Sequence, residues 1–211
     1  VAVLMVIAAI IVSYLIGSIP TGYLVVKAIK KTDIRTVGSG NIGATNVKRV
    51  LGMKWFFGVL ALDALKGLVP VLIFGAIGKA PYYPVIAGVS AILGHTFTCF
   101  LNFKGGKGVA TGLGVFLGLA PFSVLTALVV FTALLFMYRY ISLGSIAAAG
   151  LLPVLIFIYG EQGYLNLVQW VSVLAAAFII YKHKDNIKRL LEGTENKFEF
   201  SGDKNKKEGK K

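Results

Sequence analysis

Charge is scarce in this sequence. Only 15% of its 211 residues are charged, against 56% hydrophobic, and a soluble domain of this size needs far more polar surface. Acid is scarcer still, with nine Asp and Glu against 22 Lys and Arg, for a formal net charge of +13. Such an excess can signal nucleic-acid binding. Here, however, the basic residues sit in short clusters between apolar runs, as loops at a membrane surface would. A single cysteine, Cys99, excludes an internal disulfide. Two histidines and that cysteine, widely spaced, argue against a transition-metal site, so neither metal nor cofactor is expected. The G-x-x-x-x-G-K-[ST] spacing of a nucleotide-binding loop is also missing. Where "NFKGGKGVAT" (102–111) approaches it, Lys107 is followed by Gly108. No long internal repeat is visible.

Apolar runs are plentiful, at 1–26, 55–78, 82–101, 109–138, 141–159 and 164–181. A helix crosses the bilayer core with about 20 apolar residues. The first run continues past signal-peptide length, with no basic n-region and no small-residue cleavage site, and reads as a retained span. The 109–138 run would make one helix of ~45 Å against a core of ~30 Å. Pro121 in "LAPFS" offers a break, because proline cannot continue the hydrogen-bond ladder. Splitting there gives seven crossings. Segment 27–54 then carries seven basic residues, 102–108 two, Arg139 one and 182–211 ten, so 20 of the 22 share one side. Lys66 lies within a span and Lys79 on the opposite side. The positive-inside rule makes the rich side cytoplasmic. The expected fold is an all-α integral membrane protein of about seven transmembrane helices. Its N-terminus is outside, its C-terminus cytoplasmic, and short interfacial helices accompany the spans. Residues 1–200 read as one polytopic membrane domain. Residues 201–211, "SGDKNKKEGKK", lack apolar residues and read as a disordered basic tail that marks topology and touches anionic lipid.

Three polar segments share the cytoplasmic side in this scheme. In "GSGNIGATNVKRVLG" (38–52), Ser39, Asn41 and Thr45 can cap the N–H groups of a short helix that Gly52 ends. Such a helix start attracts anions, and Arg49 adds a planar fork of donors suited to phosphate. In the second segment Gly105, Gly106 and Gly108 permit close backbone approach to a ligand, while Lys104 and Lys107 supply charge. The third, "KHKDNIKRLLEGTENK" (182–197), puts His183 and Asn186 on one helical face, with Ile187, Leu190 and Leu191 toward the membrane and Lys188 and Arg189 toward headgroups. Each alone could be an ordinary interfacial loop. Together they offer a phosphate-bearing ligand many donors and few carboxylates, with Glu192 and Glu195 the exceptions, as helix-end contacts or ion pairs. Within the spans, Asp63 and Lys66 are three apart and should pair, since an isolated charge is expensive in the bilayer. His95 reads as a hydrogen-bonded interface histidine.

The stretches "YLIGSIPTGYL", "GSGNIGATNVKRVLG", "HTFTCFLNFKGGKGVATG" and "HKDNIKRLLEGTENK" resemble the motifs of the bacterial membrane glycerol-3-phosphate acyltransferases that use acyl-phosphate as donor. The resemblance covers most of the chain. It implies a catalytic domain that moves an acyl group from acyl-phosphate to the 1-hydroxyl of sn-glycerol 3-phosphate. The products would be lysophosphatidic acid and phosphate, at the start of phospholipid synthesis. It implies a multi-pass protein of the bacterial inner membrane with its site at the cytoplasmic face. The partners would be the two substrates and membrane lipid, with no nucleic acid, and a monomer would suffice. By position, the resemblance places Ser39, Gly40, Asn41 and Arg49 at the site from the first motif. The second contributes Lys104, Gly105, Gly106, Lys107 and Gly108, and the third His183, Asn186 and Glu195. The expected binding set also takes in Gly43, Thr45, Asn46 and Ser142. His183, Lys104 and Arg49 are the expected catalytic groups, with Glu195, Asp63 and Lys66 as structural neighbours. Thr98 stands where the family usually has proline, and Lys182 where arginine is common.

The H-x-x-x-x-D pair of soluble-type glycerolipid acyltransferases is absent, since Phe100 and Lys188 lie five residues after His95 and His183. No Ser-His-Asp order is evident, and Cys99 lies in an apolar run that would stabilise a thiolate poorly. A covalent acyl-enzyme is therefore disfavoured. Acyl-phosphate is already activated, and orientation plus fixed donors can supply the acceleration. The proton of the attacking hydroxyl would pass to substrate phosphate rather than to His183, which reads as a phosphate ligand. A transporter of phosphorylated solutes or anionic lipids is the alternative. A structural or assembly role would leave the three donor-rich segments unexplained.

Overall fold

The computed structural model describes residues 1–161, 163 and 166–200. Among them there are α-helices, short 3-10 turns and loops, and no strand. In chain order the helices are α1 (Ala2–Ser18), α2 (Thr21–Lys30), α3 (Ala44–Leu51), α4 (Met53–Ile77), α5 (Tyr83–Thr96), α6 (Val109–Leu119), α7 (Pro121–Tyr138), α8 (Ile141–Ile158), α9 (Leu167–Lys182) and α10 (Lys184–Leu191).

Among the described residues, five stretches are long and apolar enough to cross a membrane: Ala2–Lys30, Met53–Ile77, Tyr83–Leu101, Pro121–Tyr138 and Ile141–Ile158. Side chains such as Leu4, Leu72, Val129 and Phe157 project outward from them, which costs little where the surroundings are hydrocarbon. The apolar helices α6 and α9 have 11 and 16 residues. At 1.5 Å per residue they reach only about 16 and 24 Å.

The long 109–138 run is broken at Ala120, and Pro121 opens α7 at a position where its missing N–H costs nothing. The 1–26 run, expected as one span, is also broken, at Ile19–Pro20. Beyond that break α2 is amphipathic, with Val26 buried and Lys27 and Lys30 exposed. The buried Lys66 ammonium occupies the carbonyl at the break, donating to Ile19 O at 2.8 Å while pairing with Asp63 at 2.8 Å. The expected Asp63–Lys66 pair is therefore present, and it also ties α4 to the α1–α2 joint. The 182–197 segment is not one helix. It breaks at His183, and α10 ends at Leu191. The tail 201–211 lies outside the described residues.

Helices approach one another closely through small residues. An added Cβ at Gly17 of α1 would overlap the Ala91 carbonyl of α5, and one at Gly114 of α6 would overlap the Ala64 carbonyl of α4. Such contacts replace the hydrophobic drive that lipid does not supply between helices. One buried cluster, including Ile92, Val115, Phe116, Leu152 and Ile156, joins α5, α6 and α8. A second, including Val26, Ile34, Val47 and Val59, seats the loop before α3 on α4.

Candidate active site

The first polar segment is built around one side chain. Asn46 is buried, and its amide donates to Ile34 O at 3.3 Å, Val37 O at 3.0 Å and Asn41 O at 2.9 Å. Its Oδ1 accepts from the Ser39 N–H at 2.9 Å. Asn46, expected to bind substrate, therefore commits its polar atoms to the loop and positions it. Ser39 and Thr45 do not cap α3 either. The cap is Gly43, with no side-chain bond, and Asn41 Oδ1 accepts from the Gly43 N–H at 2.8 Å. The start of α3 thus stays open. Gly40, Gly43, Ala44, Thr45 and Arg49 all line one large cavity.

The second segment is organised by backbone. Thr98 is buried, donates to Ser18 O at 2.6 Å and so ties the loop to the end of α1. Asn102 and Phe103 then adopt left-handed conformations, φ 53° and 60°, and turn the chain back on itself. The Gly105 and Gly106 N–H groups donate to Thr96 O at 3.0 Å and His95 O at 3.1 Å. These acceptors are end-of-helix carbonyls of α5 that would otherwise be orphaned. An added Cβ would strike the His95 carbonyl at Gly105 and the His95 ring at Gly106. The close approach expected of these two glycines is thus to the chain itself rather than to a ligand. Gly108, at φ 82°, is the left-handed residue that opens α6, and with Val109 and Ala110 it lines the cavity.

This turn also sorts the two lysines. Lys104, expected to hold phosphate, is exposed and lies outside the cavity wall, whereas Lys107 lines it. Lys107 Nζ donates to Asn186 Oδ1. Asn186 in turn donates to Glu195 Oε1 at 2.7 Å, which also accepts from Ser142 Oγ at 2.8 Å. Glu195 Oε2 takes Arg189 Nε at 2.7 Å. Glu195 therefore joins α8 to α10 and orients the Asn186 that meets Lys107. Ser142, expected among the ligands, spends its hydroxyl proton on this hub. Arg189, expected at the headgroups, lines the cavity. Its place three residues after Asn186 in α10 is the spacing signal that could have found it.

His183 sits at the α9–α10 joint, 4% exposed, with Nδ1 2.7 Å from Ile179 O. A carbonyl can only accept, so Nδ1 carries the proton and Nε2 is a bare acceptor in the neutral ring. Burial, together with the Lys107 charge, pushes its pKa down to about 4, so the ring is neutral at ordinary pH. In that state Nε2 can accept a hydrogen bond but not donate one, so an N–H contact from it to phosphate needs the protonated ring. Burial pushes Lys107 down to about 8, against the opposing pull of Glu195. Burial would raise Glu195, but hydrogen bonds from Asn186, Arg189 and Ser142 hold it below the ordinary carboxylate value.

The cavity encloses about 950 Å³. One end gathers Arg49, Lys107, His183, Asn186 and Arg189. Elsewhere the wall is largely apolar, with Leu60, Leu113, Phe116, Leu128 and Phe131 in it. Asp63 and His95 also line it. Among the described residues, no group of three or more His, Cys, Asp or Glu is gathered to hold a metal.

Membrane-length apolar helices around a cavity with a cationic end define a multi-pass membrane protein. A model of the glycerol-3-phosphate acyltransferase family matches residues 7–193, and the chain belongs to that family. It is 50% identical over 191 residues to a glycerol-3-phosphate acyltransferase of Fusobacterium nucleatum subsp. nucleatum, covering 90% of this chain and 97% of the relative. It is 51% identical over 192 residues to one from Geotalea daltonii, covering 91% and 97%. Among solved structures it resembles PlsY (YgiH), an integral membrane glycerol 3-phosphate acyltransferase, in its glycerol 3-phosphate form. That match has a TM-score of 0.85 and 40% identity, over 92% of this chain and 96% of that one. The lysophosphatidic acid form matches with a TM-score of 0.81 at the same 40% identity, over 94% and 95%.

Proposed function

We propose that this chain transfers a fatty acyl group from acyl-phosphate to the 1-hydroxyl of sn-glycerol 3-phosphate, releasing phosphate and lysophosphatidic acid. The observation that carries the reading is the continuity of one cavity from a cationic end to an apolar interior. A phosphate bearing a long tail and a small second phosphate fit that arrangement together. The relatives solved with glycerol 3-phosphate and with lysophosphatidic acid support the acceptor and the product.

Arg49, Lys107, Arg189 and the open starts of α3 and α6 hold the phosphates, because free helix N–H groups and cations both favour anions. The acyl tail lies along Leu60, Phe116, Leu128 and Phe131. His183 Nε2 accepts a hydrogen bond from the attacking hydroxyl and aims it. At a pKa of about 4 it is too weak a base to keep the proton. A substrate phosphate oxygen takes the proton as the C–O bond forms and the acyl–phosphate bond breaks, and the cations stabilise the leaving phosphate. No acyl-enzyme forms.

In the cell, the chain crosses the bacterial inner membrane seven times. The short α6 and α9 cross beside longer neighbours, the N-terminus lies outside and the cavity's cationic end faces the cytoplasm. The loop-charge asymmetry supports this orientation. Single-cysteine labelling from outside intact cells should reach position 79 and not 104, and equal labelling of both would refute it.

Purified protein in detergent, given labelled glycerol 3-phosphate and palmitoyl phosphate, should make labelled lysophosphatidic acid with no sealed compartment present. Palmitoyl-CoA should not replace the donor. No lipid product, or robust turnover with the thioester free of acyl-phosphate, would overturn the reading, and the first result would leave transport as the surviving alternative.

A further inference from the structure

The segment 194–200, "TENKFEF", follows directly on the part of the chain that the family model matches, yet it is fastened to both sides of the cavity. It begins in the phosphate network, at Glu195, and reaches the apolar wall at Phe198 and Phe200, both of which line the cavity. Five residues of extended chain span at most about 17 Å, so the strap runs beside the cavity from its polar end into its apolar part.

Its attachments are specific. On the α7 side, the Phe198 N–H donates to Arg139 O at 2.5 Å, and the Phe200 ring stacks on Phe136 with centroids 5.0 Å apart and planes 6° apart. On the α3–α4 side, the Phe198 ring lies 5.6 Å from that of Phe56, and Lys48 Nζ sits 3.5 Å above its centroid. Lys48 Nζ also donates to the Glu199 carbonyl. The two strap rings meet edge to face at 5.2 Å. Phe198 is 7% exposed and Phe200 40%, so one ring is a wall and the other a clamp on the outer surface.

We propose that residues 196–200 close the gap between α4 and α7 as the last wall of the acyl channel, and that Phe198 is a specificity-determining side chain for the donor's acyl chain. The proposal rests on the acyl-transfer reading above. An aromatic wall held by a cation on one side and by backbone on the other confines a chain more tightly than mobile lipid does. The acceptor, held at the cationic end, does not touch it.

Steady-state kinetics on the full chain test this, with palmitoyl phosphate and glycerol 3-phosphate varied separately. Phe198→Ala should raise KM for palmitoyl phosphate roughly tenfold while KM for glycerol 3-phosphate stays within about twofold, and Phe198→Tyr should restore the donor KM. Phe200→Ala changes an outer ring and should raise donor KM about threefold with folding intact, so it decides the matter if Phe198→Ala fails to fold. Unchanged donor KM in an active variant, or donor and acceptor KM rising together, would overturn the proposal. An inactive wild-type protein would instead sink the acyl-transfer reading itself.

Discussion

Two loops that share one composition, rich in glycine and basic residues, are built on opposite principles. Segment 38–52 hangs on a side chain, since every polar atom of Asn46 is used to shape it. Segment 102–108 hangs on backbone, with Gly105 and Gly106 closing the end of α5 and no room for a Cβ. The first should therefore fail when one amide is removed, and the second when one methyl is added. Both leave an open helix start facing the same cavity, so two different constructions arrive at the same anion-attracting geometry.

The largest effect is expected at Gly105→Ala, whose new Cβ must displace helix backbone rather than a flexible side chain. Activity should fall by more than about a hundredfold, because the turn that delivers Lys107 is displaced. Activity within threefold of wild type would show that the loop yields. Asn46→Ala comes next. It strands the Ser39 N–H and three carbonyl contacts, which should cost about 2–3 kcal/mol and appear as a lower Tm, with kcat/KM down about tenfold. If Asn46→Ala lowered kcat/KM with no change in Tm, Asn46 would be a ligand after all and the contrast between the loops would collapse.

The pH profile gives a smaller effect that sharpens the same contrast. Lys107 titrates at about 8 and is charged below that value and neutral above it. If its charge binds phosphate, kcat/KM, which reports the free enzyme, should decline as pH rises past 8. Lys107→Arg should move that decline upward by more than one pH unit, because guanidinium keeps its proton. His183, at about 4, stays neutral throughout and should add no limb between pH 5 and 7. An unmoved alkaline limb in Lys107→Arg would assign it elsewhere. The smallest effect belongs to the lysines at 204–211, whose replacement should leave kcat/KM within twofold.

Much of this fold was legible because apolar runs report bilayer-facing helices directly, and Pro121 announces its break inside a run too long for one crossing. Pro20 gave no such warning. The sequence stays apolar on both sides of it, and no length limit is exceeded, so 1–26 read as one span. The polar segments were recognisable by composition, but composition cannot tell Lys104 from Lys107. That choice is made by the left-handed turn at Asn102 and Phe103; asparagine tolerates φ > 0, but nothing in the sequence marks the phenylalanine for it. Arg189 looked like a headgroup contact because the helix through 182–197 was expected to be continuous. α10 ends at Leu191, and the left-handed turn at Gly193 folds the chain back so that Glu195 meets Arg189 instead. Phe198 and Phe200, lying just ahead of a lysine-rich tail, carried no periodic signal at all.

The central claim is that reacting phosphate sits in the cavity described here and is held by the lysine that lines it. Parallel kcat/KM measurements on Lys107→Ala and Lys104→Ala, with palmitoyl phosphate as donor, test it most directly. Loss of a charge-assisted hydrogen bond should lower kcat/KM for Lys107→Ala by roughly ten- to a hundredfold, while Lys104→Ala should stay within about threefold of wild type. The reverse order, or equal losses at both, would place the phosphate outside this cavity and contradict the account.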